Sequence, residues 1–169
     1  TMKYVRVEFA GKQFTSMDEL NGIAFQAVGS GTVVENIHVH RSKDDGIEFF
    51  GGTVHVKNVL ITCIGDDSID WTDGWIGKGQ FLAVRQCEGD GDQGIEADNE
   101  GDTPDLTPRS NPTLSNITLV GPGQGSTSDY GKLLRAGTAG QIWNSIVTDF
   151  KETCIGIDQA ETFTQGSEN

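Results

Sequence analysis

Three stretches of the chain decide its fold: DDGIEFFGGTVHVKN at 44–58, DDSIDWTDGWIGKGQ at 66–80 and DQGIEADNEGD at 92–102. Laid over one another, they put Gly46, Ser68 and Gly94 in one column, 22 and 26 residues apart. Gly22-Ile23-Ala24-Phe25 lies 24 residues before Gly46, and Leu133-Leu134-Arg135 and Gly156-Ile157-Asp158 continue the series after a longer gap. A second column holds Asn36, Asn58, Gln80, Asn116 and Asn144, each opening a short alternating strand: NIHVH, NVLIT, QFLAV, NITLV and NSIVT. KYVRVEF at 3–9 reads as the same strand from a preceding turn. Side chains alternate across a strand, so Ile47/Phe49, Ile69/Trp71 and Ile95/Ala97 are expected to point inward, with Glu48, Asp70 and Glu96 outward.

A strand-based repeat of 22–26 residues predicts an all-β, right-handed parallel β-helix. At roughly 4.8 Å per coil, about six coils make a stack about 30 Å tall. Propeller blades need about 40 residues or more, and leucine-rich repeats need a leucine pattern that is absent here. The period-2 alternation excludes helical repeats. Asparagines in one column are expected to hydrogen-bond along the axis as a ladder. Residues 10–21, 98–114 and 121–131 lengthen their coils and are expected to protrude as loops, the first with room for a short helical turn. Neither end offers an evident cap. Residues 1–169 therefore read as a single solenoid domain, as a piece of a longer one, or as a chain that pairs end to end through uncapped coils.

Composition narrows the partners. The chain of 169 residues carries 12 Lys and Arg against 25 Asp and Glu, a formal charge of −13, which disfavours nucleic acid and anionic lipid. No apolar run approaches the roughly 20 residues of a membrane span. With 23 glycines and 4 prolines, the composition suits many turns between short strands.

At this point the residues carry a resemblance. DDGIEFFGGT, GDDSIDWTDGW, GIEADN and TPRSNPTLSNITLVG are similar to stretches of secreted or surface-attached bacterial proteins of the pectin lyase-like, right-handed parallel β-helix superfamily. The resemblance implies an extracytoplasmic location and leaves the reaction open, because superfolds host many functions. Within the superfamily the closest enzymatic echo is the polygalacturonase group of glycoside hydrolases. Asp45-Gly46-Ile47-Glu48 resembles their first catalytic motif and Gly65-Asp66-Asp67-Ser68 their second. At the third, Asp92-Gln93-Gly94 stands where they carry a Gly-His-Gly, and no Arg-Ile-Lys follows.

The acidic column is the feature richest in chemistry. Asp44/Asp45, Asp66/Asp67 and Asp90/Asp92 end successive coils, followed by Glu48, Asp70 and Glu96. Carboxylates one coil apart lie about 5 Å from each other, close to the separation in retaining glycosidases. Asp45, Asp66, Asp67 and Asp70 thus form a candidate acid/base set, set against the plainer reading that they are turn residues. Stacked oxygens also suit calcium, for which Asp92, Asp98, Asn99 and Asp102 are candidate ligands. Arg135, placed in register after Glu96, is expected to pair with that charge or to act as a lyase base, and with Glu48 and Glu96 it is a candidate ligand-binding residue. Phe50 and Trp75 flank the acidic turns as candidate sugar-stacking rings beside Glu48 and Glu96, while Trp71 reads as core. His38 and His40 share one face of a strand and could hold a transition metal with a carboxylate. Cys63 and Cys87 lie on adjacent coils and are either bridged or free buried thiols.

The leading expectation is a non-catalytic extracytoplasmic module that presents an acidic, aromatic-flanked face to carbohydrate or another surface ligand, with calcium assisting. The alternatives are a polysaccharide hydrolase or lyase using the stacked aspartates, and a structural stalk or adhesin segment.

Overall fold

The apolar residues of the repeats are rich in Val and Ile, whose branched side chains pack well on a pleated surface. In the computed structural model, which describes residues 1–15, 19–123 and 127–166, they form twelve strands. Six long ones are β1 (Met2–Glu8), β3 (Val33–His40), β5 (His55–Thr62), β7 (Lys78–Arg85), β9 (Thr113–Val120) and β11 (Gln141–Thr148). Six short ones alternate with them: β2 (Ile23–Gln26), β4 (Ile47–Phe50), β6 (Ile69–Thr72), β8 (Ile95–Ala97), β10 (Leu133–Leu134) and β12 (Gly156–Ile157). Each set stacks in chain order into a parallel six-stranded sheet, so one long and one short strand make each of six coils. A short helix, α1 (Ala160–Gln165), follows β12.

Every long strand bends at one residue in the left-handed region: Tyr4, Asn36, Asn58, Phe81, Asn116 and Asn144, with φ between 51° and 59°. Asparagine tolerates this conformation because its short amide bonds locally. Asn58 Nδ2 donates to Asn36 Oδ1 at 3.1 Å, and Asn144 Nδ2 donates to Asn116 Oδ1. The expected ladder is therefore present in two halves. Its third position is Phe81, not Gln80, because β5 pairs with β7 with Val59 opposite Leu82. Amide chemistry points to Gln80, but the buried pair Leu82 and Val84, matching Val59 and Ile61, sets the register one residue later.

Between the sheets lies one continuous core. Phe25 stacks on Phe49 at 5.3 Å, Phe49 on Trp75 at 3.9 Å, and Trp71 meets Trp75 at 5.8 Å. Trp71 is core as expected. Trp75 is also core, fully buried with its indole donating to the Val54 carbonyl at 3.1 Å, so it offers no face to a sugar. Its place beyond a turn suggested the surface, yet the turn Asp73-Gly74 folds the ring back onto Phe49. Cys63 and Cys87 are bridged, with Cα atoms 4.7 Å apart on neighbouring coils.

Glycine stands before β2, β4 and β8, where the coils approach closely. A Cβ on Gly46 would lie 2.4 Å from the Ser68 carbonyl oxygen, and one on Gly94 would lie 2.5 Å from that of Gly131. The expected loop at 98–114 is laced to the coils. Asn99 donates to the carbonyls of Pro104 and Leu106, and Arg109 reaches those of Pro104 and Gly137. Of the other two expected loops, residues 16–18 and 124–126 lie outside the described residues. The described part of 10–21 contains no helical turn.

Candidate functional site

The acidic residues gather on the outward side of the short-strand sheet and at its entry corners. Register places Glu48 of β4 opposite Asp70 of β6, and Asp70 opposite Glu96 of β8. One corner earlier, Asp45 Oδ1 accepts the Asp67 N–H at 3.1 Å, Asp67 Oδ1 accepts the Gln93 N–H at 2.6 Å, and Gln93 Oε1 accepts the Tyr130 N–H at 2.9 Å. Each corner side chain thus satisfies the backbone of the next coil. The turn reading therefore holds for Asp45 and Asp67. Half of each carboxyl is committed to the fold, and the rest faces its neighbours.

The carboxyl groups meet in three trios. Oxygens of Asp45, Glu48 and Asp70 lie within 4.8 Å of one another, and so do those of two adjoining trios, Asp44/Asp45/Asp66 and Asp66/Asp67/Asp92. Asn21 donates to Glu48 Oε2 at the rim. Asp70 Oδ1 is inaccessible to solvent and has no hydrogen-bond partner. An inaccessible carboxyl oxygen without a donor is costly when ionised, so the crowding favours either a proton on Asp70 or a cation among the three groups.

Electrostatics follow from this crowding. Burial, then the charges of Glu48, Asp44 and Asp66, push Asp45 up to about 9. Burial and the carboxylates of Asp45, Glu48 and Glu96 hold Asp70 well above the ordinary range. Asp67 is raised by burial, Glu96 and Asp45, and Glu48 by burial against the hydrogen bonds from Asn21 and Asp70. At the outer corners, desolvation followed by carboxylate neighbours raises Asp66 and Asp92. Glu96 is raised by burial to about 7, although Arg135 opposes the shift.

Arg135 does pair with Glu96, but from a different register. Leu133 pairs with Glu96, so Arg135 lies beyond β10 and reaches back to Glu96 and, at 2.9 Å, to Asp98. A slip of two residues preserves the in–out alternation and leaves no trace in the pattern. The long insertion before β10 hid it further. Phe50 shares the outward face of β4 with Glu48 and is half-buried.

Of the expected calcium ligands, only Asp92 belongs to one of the carboxyl trios. Asp98 is paired with Arg135, the Asn99 carboxamide is spent on its own loop and on the Ser110 N–H, and Asp102 is exposed. The loop sequence is rich in oxygens, but its hydrogen bonds turn them toward its own backbone. His38 and His40 share the Thr62 hydroxyl at 2.9 and 2.7 Å, opposite Arg6 and Glu8 on β1. Neither histidine joins a three-ligand group among the described residues. Asn21 went unnoticed in the sequence, although it stands before Gly22 where Asp45 stands before Gly46.

A family model for a pectate-lyase like beta helix domain matches residues 1–169. The chain belongs to this β-helix family. No curated protein and no solved structure matches the domain. Membership accords with the two stacked parallel sheets and with the resemblance to the pectin lyase-like β-helix superfamily.

Proposed function

We propose that the domain is an extracytoplasmic carbohydrate-binding module that holds its glycan through a calcium ion among Asp45, Glu48 and Asp70. The observation that carries this reading is the solvent-inaccessible, unpartnered Asp70 Oδ1 within a trio of carboxyl oxygens. The donor set is all hard oxygen, with neither thiolate nor imidazole, which suits calcium over zinc. When bound, the ion would relieve the mutual repulsion of the carboxylates and offer coordination positions to sugar oxygens. The chain's own residues do the rest. Asn21 orients Glu48, Arg135 draws Glu96 and Asp98 aside, and Phe50 provides an apolar flank on the same face as Glu48. The Cys63–Cys87 bridge supports an oxidising location outside the cytoplasm.

Affinity electrophoresis through gels containing polygalacturonate, alginate or neutral polysaccharides tests the proposal. Retardation by at least one polymer in calcium, lost in EDTA and in Asp70→Asn, is expected. Equal retardation in EDTA, or none by any polymer, contradicts it.

A second reading, a polysaccharide hydrolase, is favoured by Asp45, whose carboxyl near 9 stays protonated at neutral pH beside ionisable partners. Release of reducing ends that disappears in Asp67→Asn would support it, and retained hydrolysis in that variant would remove those aspartates from catalysis.

A further inference from the structure

The interrupted asparagine ladder lies on the long-strand sheet, away from the acidic corners. Asn58 donates toward Asn36 and Asn144 toward Asn116, so the ladder runs in one direction, and its two halves stop on either side of Phe81. At φ 59° Phe81 occupies a backbone region that asparagine tolerates and a bulky aromatic rarely takes. An asparagine at 81 would relieve the backbone and join the halves. The chain instead carries a ring that is 48% exposed, at a position whose left-handed backbone the coil imposes, as it does at Tyr4.

The surroundings say what the ring could receive. Phe81 opens onto a groove of about 340 Å³ lined by Ala83, Asn116, Thr118, Asn144 and Ile146. The Lys57 ammonium lies over the ring, 5.8 Å from its centroid, which leaves the groove side of the ring to receive a ligand. Because position 81 carries no amide, the Asn58 carboxamide oxygen and the Asn116 carboxamide nitrogen have no ladder neighbour between them. These two strands lie two spacings apart, about 9.6 Å, a gap that brackets one sugar ring. An aromatic face with an acceptor on one side and a donor on the other matches a pyranose, whose C–H face is apolar and whose rim carries hydroxyls.

We propose that Phe81, flanked by Asn58 and Asn116, is a second carbohydrate platform that stacks one pyranose ring of a neutral glycan. It works without a cation and is independent of the acidic face. The probes are cellohexaose, xylohexaose and mannohexaose, titrated into the native chain in EDTA by calorimetry. Binding of at least one hexasaccharide is expected. Phe81→Asn, which completes the ladder, should keep or raise the unfolding midpoint while weakening that binding at least about tenfold. Phe81→Trp should retain it. No binding by the native chain to any probe overturns the proposal, as does unchanged affinity in a folded Phe81→Asn. EDTA removes the calcium-dependent site from the measurement, so failure here and failure of the acidic face are separate results.

Discussion

A proton held where water would have removed it makes stability depend on pH, and Asp45 sets the direction. Its carboxyl goes from an ordinary value of 3.8 to about 9 on folding, so between those values the folded chain keeps a proton that the unfolded chain releases. Unfolding free energy then falls as pH rises, by up to about 1.4 kcal/mol per pH unit for the one proton. The contribution is complete below the unfolded value and gone above about 9. From pH 5 to pH 8 the loss amounts to roughly 4 kcal/mol at most. For a chain of this length that is about 8–16 °C in the midpoint. The assay is thermal and urea unfolding in EDTA at pH steps from 5 to 8, on the native chain and on Asp45→Asn. The amide retains the oxygen that accepts the Asp67 N–H at 3.1 Å and sheds the titrating group. The native chain should lose stability with pH, and the variant should lose less. A flat or rising native profile, or equal slopes in both proteins, refutes the reasoning.

Three further outcomes follow from the packing and the charges. Phe49→Ala removes the ring between Phe25 and Trp75 and should cost about 3–5 kcal/mol in urea unfolding; a loss below about 1 kcal/mol would mean that the stack adds little. Replacing both Cys63 and Cys87 by serine opens a closure spanning 24 residues and should lower stability by about 3 kcal/mol, whereas an unchanged midpoint would contradict the bridge. Arg135→Ala removes the cation that opposes the upward shift of Glu96, so carboxyl-carbon NMR should find Glu96 titrating above its native value near 7; an unmoved titration would separate the two groups.

What the sequence makes legible here is periodic, and what it conceals breaks the period. Ile47/Phe49, Ile69/Trp71 and Ile95/Ala97 alternate cleanly, and they lie inside the coils as the alternation requires. The acidic column was readable for the same reason, since Glu48, Asp70 and Glu96 occupy one strand position in three successive coils. Arg135 was displaced by two residues because a slip of two leaves the alternation intact. Phe81 was hidden because residue type, an amide at Gln80, competed with burial at Leu82 and Val84, and burial won. Trp75 and Asn99 depend on how single turns fold back, which is tertiary information that no local pattern holds. The role of Asn21 was within reach, because its spacing to Asp45 repeats the coil.

Calcium titrated by calorimetry into EDTA-stripped, dialysed protein at pH 7 addresses the acidic face most directly. One strong site per chain is expected, with protons released on binding and the heat absent in Asp70→Asn while that variant remains folded. No binding by the native chain, or binding that survives Asp70→Asn unchanged, contradicts a calcium site among Asp45, Glu48 and Asp70.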